Sequence, residues 1–402
     1  MQTIPSIIRW LRGLLIAALY VSVFGCATAP STPPVESVPA PAPQAPAAPV
    51  APAAPQAPVV TPAPPEAAPA VTPLSPAAGA EPTVPHVALL LPLNSPIFSK
   101  AADAVRQGFL AAASVETGKL PVRVYPCKDE TTEIVALYRQ ATLAGAVAIA
   151  GPITRNGVTA LAANFNITIP TLALNMVEDS RTDHLYFFGL PTETEARQSA
   201  QRATAAGLLS ATIVSTNTPL TKRLAQAFSD EWQRSGGILQ SEIIYTGDPT
   251  PLKEIPTAPG NSVFLAAEPD KARLLRPYID ATLPVYSTSQ VFVGNTRTLT
   301  NYDLSDVRFV DMPWMLQPDH PAVMIYPRSA TPLSSDLDRL YALGIDSYRL
   351  LQILFEHSET RSLPLDGVTG KITLINHTFQ REAILAIIKQ GLGVPVDSKS
   401  RY

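Results

Sequence analysis

Short apolar runs alternate with amphipathic stretches from Val87 onward, which predicts strands and helices in turn. The run from Val87 to Pro96, VALLLPLNSP, stays apolar until it breaks at Pro92, Asn94, Ser95 and Pro96. A run of this length closed by turn residues predicts a strand buried on both faces, followed by a loop. Phe98, Ala101, Ala102, Val105, Phe109 and Ala112 then recur at three- and four-residue steps and fall on one face of a helix. Strand, polar loop, helix is the opening unit of an open α/β domain, in which ligands sit at the C-terminal ends of the strands.

The unit repeats. Leu120 to Pro126 alternates as a strand, Thr131 to Ala144 has helical spacing, and Val147 to Ala150 is a strand that runs into Gly151-Pro152-Ile153-Thr154. A helix of small residues from Gly157 to Phe165 follows, then strands at Thr168 to Asn175 and Leu185 to Leu190. Thr192 and Glu195 have capping-box spacing, with Thr192 as N-cap of a helix that reaches about Ala206. The plan then restarts with a strand at Ala211 to Val214. Thr218-Pro219 reads as an N-cap with proline at the first helical position, opening a helix that Gly236-Gly237 ends after Arg234. Ile238 to Tyr245, Ser262 to Ala267 and Pro284 to Ser287 are further strands, with a helix from about Asp270 to Ile279. Late in the chain Leu340, Leu343, Ser347, Leu350, Leu351 and Leu354 share a helical face, with Ser335 and Asp338 as its expected cap. Gly367 and Gly370 bracket a turn before a strand at Lys371 to Leu374. Strands alternating with helices predict a mostly parallel, helix-flanked sheet in each half, so the fold class is α/β with two lobes.

Composition changes the picture mainly at the N-terminal end. The chain has 402 residues and 42 prolines, and nineteen of those prolines fall between Ala27 and Pro85. What remains is ordinary globular composition, long enough for two packed cores. The net charge is −3 with no basic block, which argues against a surface that tracks nucleic-acid phosphates.

Met1 to Gly25 carries Arg9 and Arg12 and then an apolar core from Leu14 to Phe24, the charge-then-apolar order of an export signal and too short to span a bilayer comfortably. It ends in Val23-Phe24-Gly25-Cys26. A small residue directly before cysteine at that place resembles a bacterial lipoprotein signal, which implies lipidation of Cys26. Val23 and Phe24 depart from the usual choices there. The alternatives are ordinary cleavage after Ala27-Thr28-Ala29, which Pro30 disfavours, and an uncleaved anchor. Ala27 after the cysteine, by resemblance to sorting in Gram-negative cells, implies the outer membrane.

Residues 26–85 form a Pro/Ala-rich tract with no Lys, Arg or aromatic residue and only Glu36, Glu66 and Glu81 as charges. Such a composition buries no core and is expected to be a disordered tether. At about 3.1 Å per residue in polyproline II it would reach on the order of 180 Å. A spacer that carries the folded part away from a membrane is the favoured reading; a passive linker or a docking site for proline-binding modules is the alternative.

Two similar α/β lobes with late segments left over resemble the type I periplasmic-binding-protein fold, in which the chain crosses between lobes three times and a ligand sits in the cleft. On that resemblance residues 86–402 form one domain, with lobe one at about 86–206 and 321–357 and lobe two at about 207–320 and 358–402. Six phrases narrow it: VALLLPL at Val87, AIAGPITRNGV at Ala148, IPTLALN at Ile169, DVRFVDMPWML at Asp306, RLYALGIDSYRLL at Arg339 and LDGVTGKITL at Leu365. Together they resemble the LppC/LpoA family of outer-membrane lipoproteins that activate a bifunctional penicillin-binding protein. The best-known members carry a helical-repeat domain before this fold, and here the Pro/Ala tract takes that place.

Asn94, Ser95, Thr154 and Asn175 lie just past predicted strand ends in lobe one, so they are candidates to line the cleft and hold a small polar ligand. The alternative is that they cap loops, since turns select the same residue types. No acidic residue stands out as a partner for a ligand ammonium. Trp314, in Asp311-Met312-Pro313-Trp314, is either a partner anchor or, as is more usual for a large apolar residue, buried. The two cysteines, Cys26 and Cys127, do not read as a pair, and Cys127 has no His or Asn placed to activate it, so a buried inert thiol is expected. The five histidines are scattered without ligand spacing. GPITRNG lacks the Gly-Lys-Ser/Thr ending of a phosphate loop, and GxSxG is absent. No catalytic residue, metal or cofactor is expected.

The resemblance implies a regulator anchored through lipid on Cys26 whose partner is a peptidoglycan synthase, a class A penicillin-binding protein. The alternative is a lipid-anchored receptor for an amino acid or similar small ligand.

Overall fold

The computed structural model describes residues 83–116, 119–163, 167–177 and 182–396. The leader, Cys26 and all but the last three residues of the expected tether lie outside them, as does the C-terminal end of the expected helix at Gly157 to Phe165.

The strand expected at Val87 is β1 (His86–Leu91), with every residue buried. It pairs in parallel with β2 (Val122–Pro126) and β3 (Ala146–Ala150), so it is central, which is why its sequence is apolar throughout. β4 (Thr171–Ala173) and β5 (Leu185–Phe187) continue the parallel sheet in the order β2-β1-β3-β4-β5. Side-chain alternation divides β1 between two cores. Val87, Leu89 and Leu91 meet α1 (Ser99–Val115) and a long helix, Ser335–Phe355. Ala88 and Leu90 meet α2 (Glu130–Leu143) and α3 (Arg155–Ala162). Of the apolar face expected on α1, Ala102, Val105, Phe109 and Ala112 are buried, whereas Phe98 precedes the helix and is exposed.

The second lobe repeats the order. β6 (Ser210–Ser215) is its central strand, flanked by β7 (Ile238–Ile244) and β8 (Asn261–Ala266), and β9 (Val285–Ser287) and β10 (Val307–Asp311) complete β7-β6-β8-β9-β10. α4 (Thr192–Ala205) and α5 (Pro219–Arg234) cover one face, and α6 (Pro269–Leu275) lies in the core of the other. The cap expected on α5 is present: the Thr218 hydroxyl accepts from the Thr221 N–H, the Thr221 hydroxyl accepts from the Thr218 N–H, and Pro219 opens the helix.

Each parallel sheet gains strands late in the chain, of which the sequence pattern marks one, at Lys371 to Leu374. β11 (Leu365–Gly367), β12 (Gly370–Ile375) and β13 (Thr378–Glu382) extend lobe one beyond β5, and β14 (Ile384–Lys389) and β15 (Leu392–Pro395) extend lobe two beyond β10. Two-residue turns close two of the hairpins, Asn376-His377 and Gln390-Gly391, all four residues with positive φ.

The expected lobe boundaries need two corrections. α4 is expected in lobe one, but its Ala196, Ala200 and Ala203 pack with Leu224, Phe228 and Trp232 of α5 in the core of lobe two. Residues 358–402 are expected in lobe two, but the described ones divide at Ala383, because β13 pairs with β5 whereas β14 pairs with β10. The chain therefore crosses between lobes before α4, after β10 and at Ala383.

Two local expectations also fail. Thr192 does not cap α4: the helix begins at Thr192, Pro191 is its N-cap, and no side chain caps it. Glu195, expected to complete that box, is buried and paired elsewhere. The long helix is capped by Ser334, whose hydroxyl accepts from the Leu337 N–H, instead of by Ser335.

Candidate functional site

The C-terminal ends of β1, β3 and β4 open onto a cleft of about 1060 Å³. Ser95, Thr154 and Asn175 line it, with Glu130 beside them and Arg223 reaching in from α5 of lobe two. A larger groove of about 1500 Å³ shares Arg155, Pro191, Glu193 and Arg223 with it and runs on between α3 and the α4–α5 pair. Arg223 is held by Glu193, its Nε 2.7 Å from Oε1.

Three of the four expected residues thus lie on the cleft wall. Asn94 does not: its side chain is exposed, and its N–H donates to the Cys127 carbonyl at 3.0 Å. The other three are occupied by their own loops. The Ser95 hydroxyl accepts from the N–H of Ile97 and Phe98, at 3.4 and 3.3 Å. The Thr154 hydroxyl caps α3 by accepting from the Gly157 N–H at 3.1 Å. Asn175 donates through Nδ2 to the Ile153 carbonyl and accepts the Met176 N–H, both at 2.9 Å. The loop-capping reading therefore describes their side chains.

Glu130 does not stand out in the sequence. It opens α2 directly after the N-cap Asp129, and it is 2% exposed. Its Oε1 accepts the Ile153 N–H at 3.0 Å and its Oε2 the Thr154 N–H at 2.7 Å. The loop donors at the N-terminus of α3, where an incoming anion would be received, are thus already filled by a carboxylate of the chain itself. Burial raises the Glu130 pKa, against these bonds that favour its charged form. Gly157 makes room for it, since a Cβ there would lie 2.7 Å from the Glu130 Cβ. The one trace in the sequence is that Gly157, in a segment that otherwise favours helix.

On lobe two, Thr216 and Thr218 at the end of β6 both donate to Glu268, each at 2.6 Å, and their hydroxyls outweigh partial burial and hold its carboxyl below the usual range. Glu268, like Glu130, is an acidic residue engaged by its own neighbours.

Trp314 is 1% exposed. Its indole N–H donates to Asp338 at 2.8 Å, it stacks on Tyr341, and the Arg328 guanidinium lies 3.7 Å from the ring centroid. It is a packing residue at the junction, as its size predicts. Cys127 is buried, and burial together with Glu130 and Glu133 pushes its thiol up to about 12, so it is protonated at neutral pH. Among the described residues no helix is long and apolar enough to cross a membrane, and no group of three His, Cys, Asp or Glu is placed to hold a metal.

Comparison with known proteins places this geometry. A family model described as "LppC putative lipoprotein" matches residues 77–255 and 255–384. The penicillin-binding protein activator LpoA of Yersinia pseudotuberculosis is 25% identical, over 77% of this chain and 61% of its own length. The chain thus spans about three fifths of that relative. A structure from Chromobacterium violaceum, described as a "putative branched-chain amino acid ABC transporter", is 34% identical with a TM-score of 0.66, covering 76% of this chain and 99% of that one. The C-domain of Haemophilus influenzae LpoA, described as a regulator of PBP1A, has a TM-score of 0.65 at 24% identity and is covered over its whole length, against 78% of this chain. The fold is that of the type I periplasmic-binding proteins, as the resemblance implies.

Proposed function

Because the chain belongs to the LppC lipoprotein family, we propose that it is a lipid-anchored regulator that binds and activates a class A penicillin-binding protein. One observation carries this reading. The matched relatives are named activators of a penicillin-binding protein, and the part of H. influenzae LpoA that this chain covers over its whole length is itself described as a regulator of PBP1A. The cleft supports it, since Ser95, Thr154, Asn175 and the donors facing Glu130 are all engaged within the chain.

Lipid on Cys26 would hold the protein at the periplasmic face of the outer membrane, and the Pro/Ala tract would let the two-lobed domain reach the synthase. Activation then follows from binding an active state of the synthase more tightly than an inactive one. The protein supplies a surface in this scheme, and no residue is assigned a chemical step.

A second reading, a lipid-anchored receptor for an amino acid, draws on the C. violaceum structure and its description. Binding separates the two. The purified chain, immobilised and exposed to the class A synthases of its host, gives saturable binding on the first reading. On the second it binds no synthase, and amino acids raise its melting temperature by mass action.

A further inference from the structure

We infer that a buried polar ring through the crossovers locks the two lobes at one angle, so that the groove between them does not close by hinge motion. The inference stands on the contacts of the junction and does not depend on the synthase reading.

The ring starts at Arg339, on the long helix of lobe one. Its Nε and Nη2 reach the two oxygens of Asp311, at the end of β10 in lobe two, at 3.1 and 2.7 Å. Nη2 also donates to the lobe-two carbonyls of Ser289 and Phe292, at 3.0 and 2.9 Å. Ser289 passes the connection on, because its N–H donates to Glu195 of α4 at 3.0 Å. Glu195 pairs with Arg381 of β13, back in lobe one. Arg381 donates to the Thr369 carbonyl, and the N–H and hydroxyl of Thr369 donate to Asp346 at 2.8 and 2.6 Å. Asp346 lies two turns beyond Arg339 on the long helix, so the circuit closes. Asp311, Asp346 and Thr369 are fully buried, and the other four members of the ring are nearly so.

A second set of contacts holds the third crossover. Glu195, Gln198 and Arg202 fall on one face of α4. Gln198 donates to the Arg381 carbonyl at 2.7 Å and accepts the Ala383 N–H at 3.0 Å, and Arg202 pairs with Glu382 at 2.7 Å. Residues 381–383, the whole of that crossover, are thus gripped by a helix of the opposite lobe.

Hinge closure requires connecting residues to change φ and ψ while the lobes rotate. Here rotation would pull Asp311 from Arg339 and Glu195 from Arg381 inside a buried junction, and each separation would leave a buried charge unpaired. A solute can shift the lobes only by its differential affinity for a closed state, which must exceed that penalty.

The test is the distribution of distances between spin labels on exposed Gln140 of α2 and Gln233 of α5, in the full chain carrying Cys26→Ser, with buried Cys127 left in place. The expected result is one narrow distribution that a millimolar mixture of the twenty amino acids leaves unchanged. Replacing the pair together, Asp311→Leu with Arg339→Met, keeps the junction filled without charge and is expected to broaden the distribution about twofold or more. Glu195→Gln, which keeps the shape and removes the charge facing Arg381, is expected to broaden it too, and it serves if the double variant does not fold. A broad or two-peaked distribution in the unaltered protein, one that shifts with amino acids, or widths unchanged in folded variants would overturn the inference.

Discussion

The guanidinium of Arg339 and the carboxylate of Asp311 lie 2.7 Å apart across the lobe boundary, both buried. The pair joins the long helix of lobe one to the last parallel strand of lobe two. Burial works against the charged arginine, but Asp311, with Glu195 and Asp336, outweighs it and raises its pKa.

Removing one member of this pair strands the other. Arg339→Met alone is expected to cost about 3–5 kcal/mol in urea denaturation, while Asp311→Leu with Arg339→Met is expected to lie close to the unaltered protein. Additive losses in the double variant would show that the two side chains act separately.

α1 and the long helix touch through glycine. A Cβ on Gly344 would run into the carbonyl of Val105, and one on Gly108 into that of Tyr341. Because both obstacles are backbone, the helices must move apart. Gly344→Ala is expected to destabilise by about 1–3 kcal/mol, read from thermal or urea unfolding. An unchanged melting temperature would mean that this contact is looser than described.

Glu130→Ala leaves the N–H groups of Ile153 and Thr154 without their acceptor and is expected to cost about 1–3 kcal/mol. Glu130→Gln keeps the shape and one acceptor oxygen and is expected to cost less. The pH dependence separates them further. The carboxyl has a folded pKa above 4.5, so its contribution is full below that value and is lost as pH rises through the folded pKa. Glu130→Gln should flatten that part of the stability profile, and an identical profile in the variant would remove Glu130 from the account.

Cys127 should resist alkylation at pH 8 in the folded protein and react promptly once urea unfolds it. Its thiol holds its proton to about 12 when folded, against 9.0 ordinarily. Any stability it lends is therefore present below pH 9 and declines as pH climbs toward 12. Fast labelling of the native protein, followed by mass spectrometry, would contradict its burial.

What was legible in the sequence was whatever one stretch of chain decides by itself. The apolar run at Val87, the Thr218-Pro219 cap and the leucine face of the long helix are local patterns, and each forms its element. The misreadings share a different cause. Thr192 and Glu195 have the spacing of a capping box, but Glu195 finds Arg381, 186 residues away, and a buried ion pair outcompetes a local hydrogen bond. The final hairpins were missed because Asn376-His377 and Gln390-Gly391 are not the Asn-Gly or Asp-Gly pairs that announce a two-residue turn. Glu130 falls just outside the helix expected from Thr131, and only folding sets the loop of Ile153 and Thr154 beside it. In Asp311-Met312-Pro313-Trp314 the tryptophan is the conspicuous residue by size, yet the aspartate joins the lobes.

The most direct measurement of the central claim is the rate of glycan polymerisation and peptide crosslinking by each purified class A synthase of the host, with increasing amounts of the chain from Cys26 onward. The account predicts a rise in one synthase that saturates with dose and survives Ser95→Ala and Asn175→Ala, since those side chains serve their own loops. Rates unchanged for every synthase, with binding confirmed absent, would contradict it and leave the solute receptor as the reading to pursue.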